Sequence, residues 1–269
     1  MGRADMNDRI SLNAFTSIDQ SNATEVYIRA LEDFNGIVQL QELKRIEKEA
    51  VPVSSTVLDV GCGFGLESLA FAGRAGGAVH GLDKSEQFIV EARRRASQAG
   101  FTINYKVGTA DALPYPDRAF DHVRAERLLI YFADVAPALA EMRRVLRSDG
   151  TMAVIEPDFS TTTVNITDRA LLRRVMAHEA DTAVSQSWLP GRLPALLSEL
   201  GFKDIAVSTR VLIFPQDLAA AYFSGAGQKA ADDGAISAVE HENWKRELRD
   251  LHSSQSLFGS EGYFLFFCR

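Results

Sequence analysis

Between residues 56 and 155, short apolar, β-branched runs alternate with stretches of helical periodicity, and no other feature restricts the fold of this chain as tightly. The strand-like runs are Thr56 to Val60, Ala78 to Leu82, Ile103 to Val107, Phe120 to Ala125 and Met152 to Ile155. Helical patterns begin near Leu66 and cover about Ser85 to Gln98 and Val135 to Leu146. Strands separated by helices run parallel, because each crossover returns the chain to the same end of the sheet, and the helices then cover its faces. A length of 269 residues suffices for one such core with material left for a lid.

The flanks are less regular. Residues 1 to 22 are polar and unpatterned, which predicts a frayed end, whereas Ile28, Leu31, Phe34, Ile37, Leu40, Leu43 and Ile46 recur at helical spacing. Past Glu156-Pro157 come a polar Thr161-Thr162-Thr163 segment, helical patterns over about Asp168 to Ala183 and Pro190 to Leu200, and a strand at Ile205 to Ser208. A weakly amphipathic helical stretch (216–256) and a short apolar strand from Gly262 to Cys268 end the chain. The expected division is an N-terminal helical lid segment (1–50) and an α/β domain (51–269) with helical insertions at about 160–185 and 216–256.

Charge and cysteine content exclude several classes. A formal charge of -7 and a pI near 5.3 leave no broad basic surface for a phosphate backbone, so nucleic acid is not an expected partner. Arg93-Arg94-Arg95 and Arg143-Arg144 sit in helical patterns and read as solvated faces. Cys62 and Cys268 form no disulfide framework, and His80, His122, His178, His241 and His252 are scattered without metal-ligand spacing, so no metal is expected. Residues 1 to 25 lack the apolar core of a signal peptide, Met6 stands where a myristoylation signal has Ser or Thr, and no apolar stretch of about eighteen residues exists. A cytoplasmic protein without a membrane span, monomeric or homodimeric, is the expectation.

The informative chemistry lies at the end of the first strand, where Asp59-Val60-Gly61-Cys62-Gly63-Phe64-Gly65 runs into a helix. Glycines there permit a sharp turn and close ligand approach, and the turn aims amide N–H groups and a helix dipole at an anionic group; a tight structural turn is the alternative. The second strand ends in Asp83, where an acid accepts hydrogen bonds from ribose hydroxyls; capping the next helix is its other reading. After the third strand, Ala110-Asp111-Ala112 places a carboxylate beside small residues where an adenine lies flat, or else forms an Asx turn.

With these three segments in order, the chain resembles class I S-adenosylmethionine-dependent methyltransferases, and among them the menaquinone and ubiquinone methyltransferase-like group of small-molecule enzymes. Val57 to Gly65 is similar to that family's first motif, Gly81-Leu82-Asp83-Lys84-Ser85 to its ribose-binding strand end, and Ala110 to Pro114 with Phe120-Asp121 to its adenine-side motif. The resemblance covers about residues 30 to 210 and the final Phe264 to Phe267 run; Ser148-Asp149-Gly150 departs from the family's frequent Pro-Gly-Gly. It implies a Rossmann-like three-layer α/β/α sandwich. Its seven-stranded, mostly parallel sheet has the order 3-2-1-4-5-7-6 with the last strand antiparallel, and helical lid additions surround it. The implied cofactor is S-adenosylmethionine, leaving as S-adenosylhomocysteine, with its methionine end over Gly61 to Gly65. The implied cofactor residues are Asp59, Gly61, Cys62, Gly63, Gly65, Asp83, Lys84, Ala110, Asp111, Ala112 and Arg127.

At the fourth strand's end, Glu126 and Arg127 open onto the same crevice, either as partners of the cofactor's ammonium and carboxylate or as a mutual ion pair. Should the acceptor need a general base, His178 with Glu179 is the best-placed pair by topology, and Glu126 is a further catalytic candidate. Tyr27, Phe34, Tyr131, Phe159, Trp188 and Tyr222, with Trp244, are candidates for an apolar acceptor pocket or for ordinary core. The expected reaction is methyl transfer to oxygen, nitrogen or carbon of a small, specialised metabolite. A cofactor-binding cyclase or scaffold is the alternative. An NAD-dependent oxidoreductase fits worse, because the loop reads Gly-x-Gly-x-Gly and Ala110-Asp111-Ala112 has no role in it.

Overall fold

The structure is a computed structural model and describes residues 24–74 and 76–269, without the side chains of Thr24, Val26 and Tyr27. Two helices, α1 (Thr24–Asn35) and α2 (Val38–Ala50), precede β1 (Val57–Val60), α3 (Leu66–Ala72), β2 (Val79–Asp83), α4 (Glu86–Gln98), β3 (Asn104–Val107) and β4 (Phe120–Glu126). Then follow α5 (Ala136–Val145), β5 (Leu146–Val164), α6 (Arg169–Thr182), α7 (Leu189–Glu199), β6 (Ile205–Ile213), α8 (Gln216–Asp232), α9 (Ala238–Ser253) and β7 (Gly259–Cys268).

All seven strands form one sheet in the order β3-β2-β1-β4-β5-β7-β6, and β7 runs antiparallel to both neighbours while the other pairings are parallel. The helices make the outer two layers of a Rossmann-like sandwich, as the resemblance implies. Alternate strand residues feed the two cores. Met152, Val154 and Phe266 pack with Leu139 and Met142 of α5 and Leu193 of α7, whereas Ala153, Ile155 and Leu265 pack with Leu40 of α2, Val175 of α6 and Phe223 of α8. Helix starts carry their own signals: Ser85 accepts from the Phe88 amide, Asp168 from the Ala170 and Leu171 amides, and Ser237 with Glu240 closes a capping box on α9.

The structure differs from the sequence reading in two places that matter for the site. β5 continues through residues 160–164, where the sequence suggests the start of a helical addition, and pairs with Ser260 and Gly259. A threonine run suits a half-buried strand: Thr162 and Val164 point inward while Thr161 and Thr163 face out. Secondly, α2 packs against β6 and β7 as part of the layer covering the sheet, with Lys44 and Glu47 buried. Residues 1–23 and the side chain of Tyr27, which carried expectations of a frayed end and of acceptor contact, lie outside the described residues. Among the described residues no helix is long and apolar enough to cross a membrane, and no cluster of His, Cys, Asp and Glu is arranged to hold a metal.

Candidate functional site

β1 ends in a turn whose glycines all adopt left-handed backbone, with φ of 71° at Gly61, 52° at Gly63 and 85° at Gly65. A Cβ on Gly61 would stand 2.7 Å from Leu128 Cδ1, and one on Gly65 2.4 Å from the Tyr105 hydroxyl, so both positions exclude side chains. Gly63 differs, since a Cβ there meets no atom within 4 Å and points into open space. That space belongs to the cavity that Gly63 lines, and the turn forms its cradle-shaped floor. Cys62 packs beside it as a buried thiol, which burial and the Asp59 and Asp83 carboxylates push well above its ordinary pKa, so it is no nucleophile.

Asp83 closes the turn from β2. Its Oδ2 accepts from the Gly63 amide and its Oδ1 from the Ser85 amide, both at 2.9 Å, which fixes the carboxylate while leaving each oxygen a further lone pair. Burial raises its pKa despite these bonds. Lys84, Ala110 and Asp111 line the same hollow, and the exposed Asp111 carboxylate takes no hydrogen bond from the described residues. Gly65 and Ala112 stand behind the lining.

The hollow is one end of a cavity of about 1090 Å³ that runs along the carboxyl ends of β1, β2 and β4 to the junction of β5 and β7 and is covered by α1, α8 and α9. Phe34, Tyr131, Phe159 and Tyr222 line its far part, joined by Tyr263 and Glu261, which the sequence reading did not single out. Other expected residues are not brought there. Trp188 is 57% exposed, and Trp244 is wholly buried in the core, donating from Nε1 to the Phe223 carbonyl at 2.9 Å. His178 pairs with Asp233 at 2.9 Å on the outer surface, and Glu179, one residue on, is buried near Tyr222 without reaching the lining.

Beneath the cradle lies a buried charge network. Arg124 sends Nε to Glu47 (2.8 Å), Nη1 to Asp59 (2.7 Å) and Nη2 to Glu126 (2.9 Å). Lys44 bridges Glu67 (3.0 Å) and Glu126 (2.9 Å), Lys48 binds the other oxygen of Glu67 (2.9 Å), and Ser68 donates to Asp59 (2.7 Å). Burial alone would raise these carboxyls; the cations outweigh it, holding Glu47 at about 2 and Glu67 and Glu126 below the ordinary range, while at Asp59 burial prevails. Glu126 is therefore partnered mainly by Lys44 and Arg124, and Arg127 approaches it only to 3.5 Å. The Arg127 guanidinium lies over the Phe34 ring, 4.9 Å from its centroid. Sequence reasoning missed Lys44, Glu47 and Glu67, because charges at helical spacing read as solvent-facing, and Arg124, because nothing local to β4 marks its side chain as buried.

Two further buried carboxyls stand midway along β5 and near the start of β7. Glu156 Oε1 accepts from the Leu128 and Leu129 amides at 3.0 and 2.7 Å and so fixes the turn that carries Arg127, while its Oε2 has no partner among the described residues. Glu261 Oε2 accepts from the Thr162 hydroxyl at 2.7 Å. Burial pushes each of them up to about 8.

Comparison with known proteins adds to this geometry. Residues 58–154 match a family model described as a methyltransferase domain. The demethylmenaquinone methyltransferase of Shouchella clausii is 30% identical over 199 residues, covering 65% of this chain and 84% of that protein. The aklanonic acid methyltransferase DauC of Streptomyces sp. (strain C5) is 34% identical over 120 residues, 43% of this chain and 54% of that protein. Among solved structures, the YcgJ protein of Bacillus subtilis superposes with a TM-score of 0.60 over 85% of this chain and 98% of that one at 18% identity, a likeness of fold. The chain spans 40 to 57% of the length of the first curated relatives it matches.

Proposed function

The chain belongs to the class I S-adenosylmethionine-dependent methyltransferases of small molecules, and from that premise we propose that it binds S-adenosylmethionine along the carboxyl edge of its sheet and methylates an acceptor held under α1, α8 and α9. The observation that carries this reading is the continuity of one cavity from the Gly63 cradle, Asp83 and Asp111 to Tyr131, Tyr222 and Glu261. Its volume of about 1090 Å³ lies just above the roughly 300–1,000 Å³ range of small-molecule sites, room for a cofactor and an acceptor together.

In this reading Asp83 accepts the ribose hydroxyls, Ala110 and Asp111 flank the adenine, and Asp111 takes its amino group. Gly61 to Gly65, with Cys62 and Asp59 beneath, pass under the amino-acid tail, and Arg127 meets its carboxylate. S-adenosylmethionine, when bound, supplies a methyl group already activated on a sulfonium. The chain's own work is to align the acceptor and to exclude water. Glu126, held by Lys44 and Arg124, orients the Arg127 side. The aromatic lining and the likeness to DauC support an apolar specialised metabolite as acceptor. The acidic composition supports a protein that works without nucleic acid.

Two measurements test the proposal. Calorimetry should show S-adenosylhomocysteine binding and no binding of NADH. Mass spectrometry of extracts from a deletion strain should reveal a metabolite lighter by one methylene, which the purified protein converts to its methylated form. Binding without any conversion would refute methyl transfer while keeping the cofactor site.

A further inference from the structure

Glu261 sits within β7, opposite Leu212 of β6 and beside the irregular stretch of β5 between Asp158 and Thr163, and is 3% exposed. Such a position is filled at low cost by an apolar residue; a carboxyl there must be desolvated and normally needs a cation. Glu261 forms no ion pair among the described residues. Thr162 from β5 satisfies Oε2, while Oε1 takes no hydrogen bond from the described residues and the side chain lines the cavity. The surrounding elements each present a polar group: Asp158 and Thr162 on β5, Glu179 on α6, Tyr222 on α8, Tyr263 on β7, and Arg127 and Tyr131 after β4. Tyr222, Tyr263, Tyr131 and Arg127 line the same chamber.

Resting on the methyl-transfer reading, we propose that Glu261 is the general base of the reaction and that the acceptor presents to it an ionisable hydroxyl, a phenol or an enol. The acceptor oxygen, or the nucleophilic carbon of an enol, forms its bond to the methyl carbon as the carbon–sulfur bond breaks and its electron pair leaves with the sulfur. The hydroxyl proton passes to Glu261 Oε1, and solvent takes it after the product leaves. A hydroxyl suits the chamber better than an amine, because a protonated amine would share the space with the half-buried Arg127 guanidinium. Burial holds the Glu261 carboxyl up at about 8, aided by Glu179 and Asp158 and opposed by Thr162 and Arg127. A base in that range takes a proton from a phenol far more readily than an ordinary carboxylate does.

The test compares wild type with Glu261→Gln and Thr162→Val, using methyl-labelled S-adenosylmethionine and metabolite extract of the deletion strain. Glu261→Gln keeps the shape and the Thr162 contact, so S-adenosylhomocysteine affinity should match wild type, and so should the melting temperature at about pH 5, where the folded and unfolded chains bind nearly the same number of protons. Its label transfer should fall about 100-fold or more. The rise of kcat/KM with pH through about 8 should disappear in Glu261→Gln and move to higher pH in Thr162→Val, which loses the hydrogen bond that favours the carboxylate. The labelled product should be an O- or C-methyl compound. Transfer by Glu261→Gln within about threefold of wild type, persistence of its pH limb, or an N-methyl product would overturn the proposal and leave the methyl-transfer reading standing. Wild type that binds S-adenosylhomocysteine but labels nothing would bring down both.

Discussion

Glu156→Gln should make the protein more resistant to alkaline conditions, and the amount follows from the buried carboxyl itself. The folded protein keeps the Glu156 proton up to about 8, whereas an unfolded chain releases it near the ordinary 4.5. Between those values folding takes up a proton, so stability is fully present below about pH 4.5, declines as pH rises, and levels off above about 8. At about 1.4 kcal/mol per pH unit the interval amounts to about 5 kcal/mol, a large share of the total for an ordinary domain. The amide of the variant retains an oxygen for the Leu128 and Leu129 amides and does not titrate. Urea unfolding followed by circular dichroism at about pH 5 and about pH 8.5 should place the two proteins within about 1 kcal/mol at the lower value and separate them by several kcal/mol at the upper. Glu261 titrates in both proteins, so the difference between them isolates Glu156. A difference that stays constant across the range would refute the reasoning.

Three more outcomes are expected. Asp83→Ala should weaken S-adenosylhomocysteine binding by roughly 1.5–3 kcal/mol, read by calorimetry, and unchanged affinity would remove Asp83 from the site. Lys44→Met leaves Glu67 and Glu126 short of a buried partner, so urea unfolding should show a loss of about 3–5 kcal/mol; a neutral effect would mean the network is solvated in solution. Arg127→Met should cost S-adenosylhomocysteine about 1.5–3 kcal/mol of binding and leave its decarboxylated analogue nearly unaffected, whereas equal losses would show that Arg127 does not meet the carboxylate.

What was legible in the sequence was local. β1 announces itself by a β-branched run, β2 to β4 by short strand-like runs between helical patterns, and the glycine turn by residues whose left-handed backbone only their own segment has to provide. Asp83 is read from its place at a strand end, and its two amide partners are a few residues away or at the matching turn. The acceptor side obeyed no such rule. His178 follows the right element, yet the turn of α6 aims it at Asp233 beyond α8, and helical geometry of about 100° per residue then sends Glu179 inward instead. Glu261 is one carboxyl just ahead of a run read as apolar from Gly262 onward. Only the pairing of β7 with β5 brings Thr162 to it and shows that it faces a cavity.

The same distinction explains the charges under the cradle. In α2, the stripe Leu40, Leu43, Ile46 is an ordinary amphipathic face, and Lys44, Glu47 and Lys48 beside it look solvated. They are buried because β1, α3 and β4 bring Asp59, Glu67, Arg124 and Glu126 against them, a match between four elements far apart in sequence. Within this network Glu47, Asp59, Glu67 and Glu126 face Lys44, Lys48 and Arg124, with the His122 ring also meeting Glu47 at 3.1 Å, so the carboxylates outnumber the permanent cations by one. Arg127, the cation that would balance it, is held off at 3.5 Å over Phe34. A ligand carrying both an ammonium and a carboxylate therefore finds surplus negative charge under the glycine turn and a guanidinium with donors to spare beside it. Removing Lys44 would upset that balance at the glycine turn itself, whereas Glu261 and Tyr222, on which the proposed acceptor chemistry rests, lie outside the network.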